Sequence, residues 1–145
     1  MIITQAESPA GRMRPAMPRL EQLLHEPRFQ TAWRALLALL CAIAGWFAFT
    51  PGQPPGPDFD GVDKLHHLLA FGSMAMAGAF GWSSGRRATL IVAAYLLGYG
   101  AFIEIVQSQL PTRSAEWLDL LTDAVGIAAG LLLAARLRRW TDTAR

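Results

Sequence analysis

The chain has 145 residues, of which 52% are hydrophobic and only 17% charged, with a formal net charge of +2. That balance excludes binding driven by attraction to nucleic acid, and the lone Cys41 excludes an internal disulfide or a metal site built on paired thiolates. The apolar residues gather in long blocks, not at the period of a water-facing amphipathic helix, so the composition points to an all-α integral membrane protein.

Residues 1–30 form an arm carrying Pro9, Gly11, Pro15, Pro18 and Pro27. It is expected to be flexible and cytoplasmic, with at most a short interfacial helix around Leu20 to His25. A four-helix transmembrane bundle is placed at 31–139 and a cytoplasmic tail at 140–145. The apolar blocks of the bundle are Trp33 to Thr50, Leu65 to Trp82, Ala88 to Val106 and Leu118 to Leu137. A hydrocarbon core about 30 Å thick takes roughly 20 helical residues, a length each block approaches. Soluble core helices are the competing interpretation, but the run from Ala35 to Thr50 is apolar all round and leaves no face for water. The first block is too long for the apolar core of a cleaved signal peptide and reads as an uncleaved signal anchor. Cys41 lies within it and is assigned to packing.

Between the blocks, Pro51 to Pro57 cannot be helical and is expected to run extended until Asp60 and Gly61 turn the chain into the second block. The hairpin from Ser83 to Arg87 is short, which makes the second and third blocks antiparallel neighbours. The turn from Ser108 to Glu116, broken by Pro111, does the same for the third and fourth.

Basic residues set the orientation. They gather in the arm and at the inner end of the first block (Arg12, Arg14, Arg19, Arg28, Arg34), the 83–87 hairpin (Arg86, Arg87) and the C-terminal end (Arg136, Arg138, Arg139, Arg145), leaving Lys64 and Arg113 on the other side. The positive-inside rule then puts both termini in the cytoplasm. Trp33, Trp82 and Trp140 fall at inner ends of the blocks, and Trp46 and Trp117 near outer ends, as expected of rings at headgroup level. Arg34 is expected to snorkel to the interface and has no assigned site role.

With that topology, polar residues far apart in sequence come to one depth. Asp63 and His67 share a face at the mouth of the second block, beside Lys64. Gly100, Glu104 and Gln107 line one stripe at the outer end of the third. Asp119 and Asp123 line a stripe of the fourth, continued inward by Gly126 and Gly130, whose small-xxx-small spacing permits close helix approach and turns Asp123 toward protein. A charge facing lipid at the bilayer centre costs about 2.5–3.5 kcal/mol on insertion scales, so Glu104 and Asp123 are expected to face inward.

The run Asp63-Lys64-Leu-His66-His67, then Glu104-Ile-Val-Gln107, Pro111-Thr-Arg113, Asp119, Asp123, Gly126 and Gly130, resembles the VanZ-like family. His67 takes the family histidine position and His66 is an extra one. The resemblance covers Asp63 to Gly130, with two departures: Leu68 stands where an aromatic residue is common, and Asp123 where an Asn is common. It implies a small bacterial inner-membrane protein of the cell envelope, in a family whose founding member is associated with resistance to the glycopeptide teicoplanin. It implies no particular reaction.

Several functions fit these residues. Asp63, Lys64, His67, Glu104, Gln107, Arg113, Asp119 and Asp123 form the candidate ligand-binding set, at an outer-face pocket for a lipid headgroup or a lipid-linked envelope precursor. Membrane lipids, or another membrane protein, are the expected partners. An enzyme would use His67, Glu104 and Asp123 for acid–base chemistry, with Lys64 and Arg113 holding phosphate. A metal site would draw on His67, Glu104 and Asp123 with Asp63 or His66, but no HExxH or cysteine pair is present, and no metal or cofactor is assigned. Interhelical hydrogen bonding in a scaffold is the remaining alternative. Transport is disfavoured because the inner halves of the third and fourth blocks offer no continuous polar path.

Overall fold

The computed structural model describes residues 22, 26–50, 61–82, 84–111 and 116–143. They form four helices: α1 (Pro27–Phe49), α2 (Val62–Gly81), α3 (Arg86–Gln107) and α4 (Trp117–Thr143). The all-α expectation is met. Most of the N-terminal arm, the loop from Pro51 to Pro57, and Arg113 lie outside the described residues.

Local chemistry explains the helix limits. Pro27 opens α1, where its fixed φ suits the first turn and its missing N–H costs nothing. The helix stops at Phe49 because Thr50 precedes Pro51 and is driven to extended backbone, at φ −80° and ψ 132°. Gly61 enters α2 at φ +88°, a left-handed conformation that side chains resist. At its other end α4 runs beyond the expected block, through Arg136, Arg138 and Trp140 to Thr143, so the tail placed at 140–145 begins as helix.

Three helices, α1, α3 and α4, are long and apolar enough to cross a membrane. The expected span at 65–82 falls on a helix, α2, that Asp63, Lys64, His66 and His67 in its first turns keep out of that class. Packing compensates for this polarity. Helix α2 lies at the centre, pressed most closely against α4, then α1 and α3, while α1 and α4 hardly touch. The covering is partial, since Leu65 and Leu69 of α2 are 40% and 58% exposed. The outward faces of the other helices are apolar too: Ile105 is 64% and Leu132 62% exposed, unfavourable in water and suited to lipid.

Glycines permit the α2–α4 contact. A Cβ on Gly126 would lie 2.6 Å from the Leu68 carbonyl oxygen, and one on Gly130 would run into the Gly72 carbonyl oxygen. The small-residue stripe therefore works within the chain, as its spacing predicts. Phe71, Met74, Leu96 and Ile103 fill the interior with almost no exposure.

The basic end of the bundle is also tied together. Arg34 Nε donates to the Gly81 carbonyl at 2.7 Å and its guanidinium lies 5.0 Å from the centre of the Trp82 ring. Arg138 Nη2 donates to the Ala79 carbonyl at 2.6 Å. These two arginines satisfy carbonyls left open at the C-terminal end of α2, where positive charge is favoured. Arg34 is thus more than a snorkelling side chain. Cys41, as expected, is a packing residue, with its thiol 3.5 Å from the Met74 sulfur.

Candidate functional site

The opposite end holds the polar residues. Asp63 and His67 face the same side of α2 because they lie one turn apart. From α4, Asp119 and Asp123 point back at them, Asp119 being 3% exposed and Asp123 fully buried. From α3, Glu104 and Gln107 are buried on the same stripe as Gly100.

The centre of the cluster is a contact between His67 Nδ1 and Asp123 Oδ1 at 2.8 Å. The His67 ring lies nearly parallel to Phe71, 6.3 Å between centres and 7° between planes, which restrains its rotation. Asp123 fits there because α3 offers Gly100 opposite it: a Cβ at that position would collide with Asp123 Oδ2. Among the described residues that oxygen has no hydrogen-bond partner.

A second layer surrounds this pair. Lys64 Nζ bridges Glu116 at 3.0 Å and Asp119 at 3.4 Å, linking the start of α2 to the start of α4. Glu104 Oε2 accepts the backbone N–H of Glu116 at 2.9 Å, so a side chain of α3 satisfies a donor at the entry to α4. Its other oxygen, Oε1, is buried without a partner. Gln107 Nε2 donates to the Ala48 carbonyl at 3.3 Å and fastens α3 to the end of α1.

A groove opens between α1, α2 and α3, with a volume of about 280 Å³. Its walls include Leu40, Ile43, Ala44, Phe47 and Phe71. Its polar end is made by Asp63, His66, His67 and Gln107. A long apolar wall closed by ionisable groups is the shape of a site for an amphiphile.

Of the eight candidate ligand-binding residues, seven are described and all lie at this end of the bundle; Arg113 lies outside the described residues. The grouping of metal-type donors differs from the set weighed from sequence, since it is donor atoms of Asp63, His67 and Asp119 that lie within 4.8 Å of one another. Asp123 is withdrawn behind His67 because its carboxylate nests on Gly100. Two contributors lie outside the candidate ligand-binding set. Glu116 completes the Lys64 and Glu104 contacts, and its identity as the residue before α4 was the available signal. His66, set aside as an extra histidine, lines the groove.

The VanZ/LLP1 family model matches residues 6–138, a longer stretch than the motif from Asp63 to Gly130. No curated protein and no solved structure matches the chain.

Proposed function

The chain belongs to the VanZ/LLP1 family, and from that premise we propose a four-span envelope protein whose polar pocket binds an amphiphile, a lipid headgroup or a lipid-linked precursor. The observation that carries this is the groove between α1, α2 and α3, apolar along its walls and ionisable at its end. Helix α2 crosses with the other three, its polar first turns shielded by its neighbours. The basic residues put both termini in the cytoplasm and the pocket at the outer face of a bacterial inner membrane.

Filling the groove tests this. Ala44→Trp places an indole in the apolar wall, away from the hydrogen-bonded cluster. Native mass spectrometry of the purified wild-type chain should show a retained phosphate-bearing lipid, and the variant should lose it while melting normally. Wild-type protein with only detergent background, or an Ala44→Trp variant with the same lipid complement, would refute lipid binding in this groove.

A second reading is favoured by the His67–Asp123 pair, since a carboxylate behind an imidazole prepares it as a general base. In that case His67→Gln abolishes turnover of the bound lipid while the lipid still co-purifies. Accumulation of the same unmodified lipid in wild type and variant would argue for binding alone.

A further inference from the structure

We propose that Asp63, His67 and Asp119 form a divalent-cation site at the polar end of the groove, with Asp123 as the residue that positions the histidine. Each of the three offers one ligand atom, and these atoms lie within 4.8 Å of one another. Metal–ligand bonds of about 2.0–2.2 Å would draw them slightly closer. Half-buried Asp63, at the mouth of the pocket, has room for that adjustment.

The environment of His67 points the same way. In the tautomer whose Nδ1–H donates to the Asp123 carboxylate, 2.8 Å away, Nε2 is the nitrogen with a free lone pair. A carboxylate held behind a ligating imidazole is a common support at metal centres, where it fixes the ring and raises its basicity. Asp123 is fully buried and has no access of its own to the groove mouth, so this supporting role accounts for its place.

Unmatched polar atoms provide a separate indication. Glu104 is 8% exposed and one turn from Gly100, on the stripe that faces Asp123, and among the described residues its Oε1 has no partner. Asp123 Oδ2 is likewise without a partner. Four carboxylates thus converge from α2, α3 and α4, and among the described residues Lys64 is the one lysine or arginine that bonds to any of them, at Asp119. Concentrated negative charge away from water is costly unless compensated. A divalent ion supplies that compensation, and the unpartnered Glu104 oxygen can accept from a water bound to it.

Two carboxylate oxygens and one imidazole nitrogen suit Zn²⁺ or Mn²⁺. Three protein donors leave a position open toward the groove, where a phosphate oxygen of an amphiphile could bind. The site does not depend on the lipid reading: the ion should bind in lipid-free detergent.

The test uses the full chain in detergent, stripped with a chelator and titrated with zinc chloride by calorimetry. Wild type should bind one Zn²⁺ per chain. Asp63→Asn and Asp119→Asn should each abolish saturable binding, and Asp123→Asn should weaken it about 10- to 100-fold at unchanged stoichiometry. Asp142→Asn, at the opposite, basic end of α4, should bind as wild type. A second measurement needs no variant: a manganese-loaded sample should show nitrogen modulation from a coordinated imidazole in pulsed electron paramagnetic resonance. No saturable zinc binding by wild type, no nitrogen modulation, or wild-type affinity in Asp63→Asn and Asp119→Asn would each overturn the site. Ala44→Trp keeps the two ideas apart, because it should lose lipid and retain zinc.

Discussion

Replacing Gly126 by alanine should separate α2 from α4 and break the His67–Asp123 pair from a distance. The added Cβ would lie 2.6 Å from the Leu68 carbonyl oxygen, where ordinary contact begins at 3.4 Å, so α4 has to retreat by about 0.8 Å. The obstacle is backbone and cannot swing aside. Asp123 sits one turn from Gly126, and the same retreat stretches its 2.8 Å bond to His67 to about 3.6 Å, beyond hydrogen-bond range. Overpacking costs about 1–3 kcal/mol, and a buried carboxylate stripped of its partner about 1–3 kcal/mol more. The better helix propensity of alanine returns only about 0.5–1 kcal/mol. Gly98→Ala is the matched control, since a Cβ there meets nothing within 4 Å and should be neutral or slightly stabilising. Thermal unfolding of both variants in one detergent, together with the nitrogen resonances of labelled His67, reads stability and pairing separately. If Gly126→Ala melted with Gly98→Ala and left the His67 signals in place, the seam would not hold the site.

Asp123→Leu leaves His67 Nδ1 without its partner and should cost about 1–3 kcal/mol in unfolding, whereas Asp123→Asn keeps an acceptor there and should lose much less. Tyr99→Phe removes the 2.6 Å bond from the hydroxyl to the Cys41 carbonyl; about 0.6–1.7 kcal/mol is expected from detergent unfolding, the range for interhelical hydrogen bonds in membranes. Gln107→Leu should release the end of α1 and raise deuterium uptake around Ala48, with α4 unaffected. Lys64→Met should lower the melting temperature in detergent, because it strips the buried Asp119 carboxylate of its cationic partner.

The membrane character and the common depth of the polar groups were legible in the residues. Insertion depends on the local balance of apolar and polar side chains, and a helix of known rise carries Asp63, Glu104 and Asp123 to one level whatever its neighbours do. Glycine spacing likewise announced that Gly126 and Gly130 would meet another helix. It did not say which helix: the partner is α2, through Leu68 and Gly72. The polarity of α2 set a further limit, since the partners that hold Lys64 and His67 lie on α4 and at its entry, far away in sequence.

Sequence by itself determined the four helical segments and the end of the bundle at which the ionisable groups collect, because both follow from short-range transfer energies and helical periodicity. Tertiary structure decided the partnerships: Asp123 with His67, Asp119 near Asp63, and Glu104 with the Glu116 N–H. Those depend on how far each helix is rotated about its axis and how closely two backbones approach. Both are fixed by contacts between residues dozens of positions apart, above all at Gly100 and Gly126, where a missing Cβ makes room for a carboxylate and for a neighbouring backbone.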